Sequence, residues 1–348
     1  MTDFVLTVFV GLAAGYVFLK MKVPGGMMVG SIVGVSVLNI ATAHAFMPSY
    51  AKAASQIIAG AFIAMGLERS DLKRLRHIFK PAIILISGMA VLNIAAGLLI
   101  YLFSPLDITT SFMSAVPGGI SDIPIISEEM GADSSKVAVM QFIRLVFGIG
   151  VFPAMINKVS DIKHPDGEEE NDKGYVRSVS KNDSIPDLIL TIGIASIFGL
   201  IGKWTGIPSA TLVFSMLSVI VFKLSTNRGS MPKWMRRFAQ VLSGAYIGSS
   251  IEMREVLGMK DLVIPVVILI AGYLSACFLI GFIINKTCKM TLKESMLAAT
   301  PAGAADMALI SADIGVKSAD VIVLQIIRMV VVISVFPQIT RLIVSVLG

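Results

Sequence analysis

The chain has 348 residues, of which 55% are hydrophobic and 15% are charged, and its mean hydropathy is +0.83. Soluble domains carry about 25% charged residues, so this composition excludes an ordinary water-soluble domain and predicts a polytopic membrane protein. The formal net charge of +6 fits short basic loops beside anionic lipid and does not by itself indicate a nucleic-acid partner.

Five apolar segments of the first half are predicted to be membrane-spanning helices, because each holds roughly the 17–25 residues that cross a bilayer. An odd sixth segment, 108–131, lies between the fourth and the fifth and carries Pro, Gly, Ser and acidic residues. The five predicted spans lie near 4–20, 26–46, 51–67, 79–103 and 135–158.

A polar stretch of mixed charge divides the chain. Residues 159–185 contain an acidic triplet and few apolar side chains, which is typical of a solvated linker. The predicted domains are therefore a first membrane repeat at 1–158, the linker at 159–185, and a second membrane repeat at 186–348.

The two halves are copies of one unit. A shift of 184 positions aligns the chain with itself without gaps and superposes polar, Pro and Gly positions that chance would rarely match. The shift pairs Asp3 with Asp187, Gln56 with Gln240, Pro117 with Pro301, Gly119 with Gly303, Asp122 with Asp306, Gln141 with Gln325 and Arg144 with Arg328. The pattern indicates a tandem duplication.

Basic residues predict opposite orientations for the two units, because Lys and Arg concentrate in cytoplasmic loops. In the first half the basic loop is 68–80, between spans three and four. In the second half the basic loops are 223–237, between spans two and three, and 286–293, after span four. We therefore expect a multi-pass membrane protein with the linker in the cytoplasm and both termini outside.

An inverted pair needs an odd number of crossings per unit, so the sixth segment is predicted to enter the membrane and return. Residues 108–116 and 122–130 would each reach about 13–14 Å as helices, half of a core about 30 Å thick. Pro117, Gly118 and Gly119 would break the helix between them. The predicted fold is an all-α membrane protein of two inverted repeats, each with about five transmembrane helices and one re-entrant helical hairpin.

The two breaks and the polar residues near them form the candidate site, since interrupted helices in membrane carriers tend to line the substrate path. The candidate substrate-binding residues are Gln56, Pro117, Gly118, Gly119, Ser121, Gln141, Arg144, Gln240, Pro301, Gly303, Gln325 and Arg328. For Gln56 and Gln240 the alternative is helix packing beside small residues.

The charged candidates each have two interpretations. Asp122 and Asp306 either bind a coupling cation or serve as N-caps of the second half-helices. Arg144 and Arg328 either grip a substrate anion or form structural ion pairs with those aspartates. Glu128 and Glu129 are expected to face the aqueous mouth.

The duplicated unit, with PGGISD at 117–122 and PAGAAD at 301–306, each followed by a helix with QFIR or QIIR, resembles the AbrB family of bacterial membrane proteins. Family members carry this duplication and are labelled ammonia monooxygenases or regulators of gene expression. The unit is also similar to elevator-type carriers such as the 2-hydroxycarboxylate transporters. Their hairpin tips hold two Gly, and Ala302 departs from that pattern, so the resemblance does not transfer their substrate.

We expect a secondary transporter of a small, anionic organic solute, working by elevator-like alternating access and coupled to H⁺ or Na⁺, and the resemblance implies a bacterial inner membrane as its location. The expected partners are that solute and the bilayer, without nucleic acid, and the resemblance to elevator carriers allows a homo-oligomer. The alternative is a membrane sensor that affects gene expression indirectly, although the sequence shows no DNA-binding motif.

An enzyme is not expected, and we assign no catalytic residue, no metal site and no cofactor beyond the coupling ion. A monooxygenase would need clustered ligands for copper or iron. The three histidines, His44, His77 and His164, are scattered.

Overall fold

A computed structural model describes residues 2–23, 25–67, 69–120, 122–151, 155–156, 185–253, 259–288, 290–301 and 319–347. These residues form helices and connecting segments and contain no β-strand. The predicted all-α class is therefore confirmed for the described part of the chain.

The helices are numbered in chain order, and a 3₁₀ turn at Met259–Leu262 precedes α11. Their bounds are α1 Thr2–Lys20, α2 Gly26–Thr42, α3 Ser49–Ala64, α4 Arg69–Phe103, α5 Ile108–Ser114, α6 Ile123–Glu129, α7 Ser134–Gly150, α8 Ile185–Trp204, α9 Ala210–Thr226, α10 Lys233–Ser249, α11 Val263–Thr287, α12 Leu292–Ala299 and α13 Ala319–Leu347.

Five helical stretches are long and apolar enough to cross a bilayer: Thr2–Lys20, Ile78–Phe103, Ile185–Trp204, Met259–Thr287 and Asp320–Val346. Large apolar side chains on them, such as Phe9 and Val91, point away from the rest of the molecule. Exposed apolar surface of this kind is stable in lipid and unstable in water. The chain is a multi-pass membrane protein.

The 184-residue shift also relates the helices. α2 at Gly26–Thr42 and α9 at Ala210–Thr226 have matching bounds, and both end at a left-handed residue, Ala43 with φ 56° and Asn227 with φ 57°. The left-handed residue stops α2 at Thr42, so the predicted span to position 46 is four residues too long.

The helices pack as two bundles. Bundle A contains the first three helices of each half, which are α1, α2, α3, α8, α9 and α10, and bundle B contains α4–α7 and α11–α13. Glycines allow close contact inside bundle A: a Cβ at Gly244 would lie 2.6 Å from the Met28 carbonyl oxygen, and one at Gly60 would lie 2.5 Å from the Leu212 carbonyl oxygen. Each bundle thus combines helices from both halves.

Counterpart helices of the two halves run in opposite directions where they touch. In bundle B, Lys80 on α4 reaches the Thr287 carbonyl on α11 at 3.4 Å, whereas Gly272 on α11 lies against Leu92 on α4. α4 and α11 are therefore antiparallel.

The counterpart helices α3 and α10, which touch in bundle A, show the same relative direction as α4 and α11. Lys52 lies over the Tyr246 ring at 5.4 Å, and Arg236 lies over the Phe62 ring at 4.7 Å. An early residue of each helix meets a late residue of the other, so these helices are antiparallel as well.

The interrupted segment of the first half is buried, and its two ends meet. The Asp107 carboxylate accepts a hydrogen bond from the Thr110 N–H at 2.9 Å, which fixes the start of α5. The Asp133 N–H, just after α6, donates to Thr110 Oγ1 at 2.9 Å. The chain therefore returns after α6 to the place where α5 began.

Candidate functional site

The break between α5 and α6 is held by two side chains of α7. Gln141 Nε2 donates to the carbonyls of Met113, Ser114 and Val116 at 3.4, 3.3 and 3.1 Å. Arg144 Nη1 donates to the Val116 carbonyl at 2.9 Å, and Nη2 donates to Gly118. The last carbonyls of a helix lack intrahelical partners, so a cation and an amide at this end stabilise the interruption.

The second half repeats these contacts 184 residues later. Gln325 Nε2 donates to the carbonyls of Leu297, Ala298 and Thr300 at 2.8, 3.2 and 3.2 Å. Arg328 Nη1 donates to the Thr300 carbonyl at 2.6 Å. The matched Gln–Arg pairs therefore perform the same task at α5 and α12.

Arg144 does not form the structural ion pair that one interpretation predicted. Its guanidinium binds backbone carbonyls, and among the described residues it has no salt bridge with Asp122. The dipoles at the end of α5 satisfy its donors where a carboxylate was expected. The partner role of Asp306 lies outside the described residues.

The centre of bundle B carries concentrated positive charge. Arg144 and Arg328 are 4% and 5% exposed, and the two guanidiniums act electrostatically on each other. The Tyr273 ring lies 5.7 Å from Arg144, and its hydroxyl donates to the Ala115 carbonyl at 2.9 Å. Within the described ranges, Arg144 Nε and Gln141 Oε1 are buried without a hydrogen-bond partner.

Asp122 lies at the N-cap of α6, yet its side chain accepts no hydrogen bond from that helix. The carboxylate is 5% exposed and has no hydrogen bond or ion pair within the part of the chain described. It lines a crevice too narrow for a water molecule, whose other walls are Ser55, Gln56, Ala59, Ile125, Leu212 and Ser243. Asp122 therefore occupies the N-cap position, as one interpretation predicted, but it does not form the capping hydrogen bond.

A family model described as "Transition state regulatory protein AbrB" matches residues 27–344. The chain belongs to the AbrB family. The match extends from α2 to α13 and covers residues of both bundles, so the resemblance seen in the motifs is confirmed.

Two AbrB-like relatives align over most of the chain. A Bacillus subtilis (strain 168) protein named "Uncharacterized protein YhjN" is 26% identical over 352 residues, covering 95% of this chain and 90% of the relative. An Escherichia coli (strain K12) protein named "Putative regulator AbrB" is 26% identical over 332 residues, covering 94% of this chain and 92% of the relative.

The other predicted site residues of this AbrB-family chain are only partly visible. Pro117, Gly118 and Gly119 form the first break, and a Cβ on Gly118 would collide with Ile123. Pro301 is buried at the edge of the described residues. Gln240 is half-buried on α10 and has an interaction of its own. Ser121, Gly303, Asp306 and the linker 159–184 lie outside the described residues.

No three side chains of His, Cys, Asp or Glu converge to hold a metal ion within the described ranges. His164 and the side chain of His77 lie outside those ranges. The expectation that the AbrB-family chain has no metal site stays a prediction.

The expectation that Glu128 and Glu129 face the aqueous mouth stays a prediction, and both acids bind residues of bundle A. The Glu128 side chain is 37% exposed. Glu128 pairs with Lys52 and accepts a hydrogen bond from the Tyr246 hydroxyl at 3.3 Å. Glu129 accepts hydrogen bonds from Gln56 Nε2 and from a backbone N–H at the start of α9, each at 2.7 Å. The six contributors, called the acid clamp below, are Lys52, Gln56, Glu128, Glu129, Ser209 and Tyr246.

The sequence held one signal for the acid clamp. Lys52 and Arg236 are basic residues at matched positions of α3 and α10, early in helices that are otherwise largely buried. Arg236 is exposed, whereas the Lys52 side chain is largely buried and needs a partner, so Lys52 could have directed attention to the neighbouring acids.

Proposed function

We propose that this AbrB-family protein is a secondary transporter of a small organic anion in a bacterial inner membrane, coupled to H⁺ or Na⁺, rather than an enzyme. The observation that carries the proposal is the pair of interrupted segments, each held by a matched Gln and Arg inside an apolar helical molecule. Irregular backbone at membrane depth is tolerated where it is buried or lines a watery path, and carriers use it at their binding sites.

Opposite insertion of the two halves is supported by the antiparallel counterparts α4 with α11 and α3 with α10. A rotation axis along the helices would leave counterparts parallel, so these contacts favour an axis in the membrane plane. The contact between Asp133 and Thr110 supports a re-entrant hairpin. Inverted repeats with central hairpins are a known basis for alternating access.

An anionic solute is supported by the charge at the breaks. Both Nη groups of Arg144 donate to backbone carbonyls, and Arg144 has no acid partner among the described residues. Burying a cation at mid-membrane costs at least about 2.5–3.5 kcal/mol, and a bound anion would offset this cost. Arg144 Nε remains as a donor for it.

Coupling to a cation is supported by Asp122. A buried carboxylate without a hydrogen bond is costly in its charged form, and a proton or Na⁺ would neutralise it. The Asp122 crevice lies between α6 of bundle B and helices of bundle A, where neutralisation would ease sliding of one bundle past the other.

The test is flux into proteoliposomes with a panel of radiolabelled mono- and dicarboxylates, under an imposed pH or Na⁺ gradient. We expect at least one solute to accumulate with the wild type. R144K, which keeps the charge but lacks the planar fork whose two nitrogens hold the Val116 and Gly118 carbonyls, should lose most of this flux. R237K, a change at an exposed arginine of α10, is the matched control. Wild-type flux in R144K, or no accumulation of any solute, would contradict the proposal.

A second candidate is a membrane sensor that affects gene expression indirectly. The observation that favours it is the printed name of the E. coli relative, "Putative regulator AbrB". A cytosolic protein captured by the full chain, and lost when residues 159–185 are replaced by a Gly/Ser linker, would support this role. Capture of no protein that depends on residues 159–185 would count against the sensor role.

A further inference from the structure

The acid clamp joins the two bundles. Its acids, Glu128 and Glu129, form the end of α6 in bundle B, and its donors belong to α3, α10 and the start of α9 in bundle A. Between described residues of the two bundles, the other hydrogen bond runs from Gln338 Nε2 to the Pro208 carbonyl at 3.1 Å. Among the described residues, the polar contacts between bundle B and bundle A are therefore concentrated on one turn of the hairpin.

The charges of the clamp are compensated only while α6 is docked. The Lys52 side chain is 11% exposed, and its ammonium contacts Glu128 and lies 3.8 Å from Glu129. The Glu128 side chain is 37% exposed, so neutralising it chiefly leaves the more deeply buried Lys52 ammonium without a compensating charge. The second negative charge lies against the N–H of Ser209, at the N-terminus of α9, where the helix dipole favours an anion.

The clamp is not duplicated in full. The 184-residue shift places Arg236 at the position of Lys52, and Arg236 also lies over an aromatic ring, that of Phe62. The shift places Ala312 and Asp313 at the positions of Glu128 and Glu129. The second half thus carries one acid where the first half carries two.

We propose that the acid clamp is an ionic lock, which holds the first hairpin against bundle A in this conformation and opens when bundle B moves. This inference rests on the proposed transport function, because the clamp opens only if bundle B moves relative to bundle A. Since the second half has one acid in place of two, the lock favours the conformation seen here over the opposite one. Neutralising the acids shifts the population toward states in which the crevice at Asp122 is open.

The experiment measures how fast water reaches that crevice. Ala59 lines it on α3, so A59C in a C277S/C288S background provides one thiol for a small, charged, water-soluble methanethiosulfonate reagent. With the full chain in proteoliposomes, we expect E128Q/E129Q to raise the labelling rate about tenfold or more, as for loss of a charge-assisted hydrogen bond. The charge swap K52E/E128K should return the rate toward that of the parent.

The matched control is K136A, which removes the ion pair of 3.0 Å between Lys136 and Asp133 inside bundle B and should leave labelling unchanged. E129Q alone carries the same expectation if the double variant does not elute as a folded protein. An unchanged rate in a folded E128Q/E129Q or E129Q protein overturns the lock. An equal rise in K136A, or a swap that labels as fast as the neutral variant, overturns it too. Labelling needs no solute, so absence of flux would count against the transport function separately.

Discussion

Cys277 takes the place of Asn93 in the second half. Asn93 Nδ2 donates to the Phe112 carbonyl at 3.1 Å, and Cys277 Sγ lies 3.4 Å from the Met296 carbonyl, with both members displaced by 184 residues. An amide and a thiol thus satisfy the same carbonyl of the short helix in each half. The thiol is the weaker donor.

Loss of the Asn93 amide should therefore destabilise the protein. N93L removes the side-chain donor of the Phe112 carbonyl, which keeps its bond from the Ala115 N–H at 3.2 Å, so we expect a loss of about 0.5–1.5 kcal/mol and thermal unfolding in detergent at a lower temperature. C277S keeps a hydroxyl donor for Met296 and serves as the control, with little expected change. Equal unfolding temperatures for N93L and the wild type would contradict this.

Replacement of Arg144 should affect stability as well as flux. R144M removes the donors to the Val116 and Gly118 carbonyls, and we expect a loss of about 2 kcal/mol or more. The measurement is the fraction folded after heating, followed by size-exclusion chromatography. R237M, at an exposed position of α10, should match the wild type. If R144M is as heat-resistant as R237M, the carbonyl contacts do not hold the break.

Close helix contact in bundle A should make Gly244 intolerant of a side chain. G244A places a Cβ 2.6 Å from the Met28 carbonyl oxygen, and such overpacking costs about 1–3 kcal/mol. G193A is matched in chemistry, but nothing lies within 4 Å of a Cβ there, so no loss is expected. The measurement is the thermal unfolding temperature of G244A and of G193A, and equal temperatures would exclude tight α2–α10 packing.

Tyr273 gives the first break a support that the second break does not share. The shift places Met89 at the position of Tyr273. Y273F removes the hydrogen bond of 2.9 Å to the Ala115 carbonyl, and we expect a loss of about 1 kcal/mol. Differential scanning fluorimetry against Y101F, a change at an exposed tyrosine of α4, would measure it. No difference between the variants would show that the hydroxyl is dispensable.

The sequence predicted the duplication well because polar, Pro and Gly positions are repeated at one fixed shift. The break at 117–119 and the importance of Gln141 and Arg144 followed from that repetition. Their contacts did not, because nothing local shows that a guanidinium will bind carbonyls 28 residues earlier in the chain. Both residues hold the break, whereas their part in solute binding stays a prediction.

Repetition also misled at particular residues. Asn93 is not among the predicted site residues, because the shift pairs it with Cys277 and not with a second amide, although the two side chains contact equivalent carbonyls. Glu128 has no acidic counterpart, and its neighbours on α3 and α10 are distant in sequence, so its contacts in the acid clamp were not predicted. Contacts between the halves depend on tertiary packing that a single-chain pattern does not contain.

The exchange of helices between the halves has a consequence for synthesis. α3 packs on α8, α9 and α10 of the second half, and α2 packs on α10 as well as on its neighbour α1. The close contact between Gly60 and Leu212 of α9 therefore forms only after the second half has been made, and until then this surface of α3 faces lipid or a chaperone. Each half is thus an incomplete folding unit, and a first half made alone would leave the Gly60 surface of α3 without the helix that fills it.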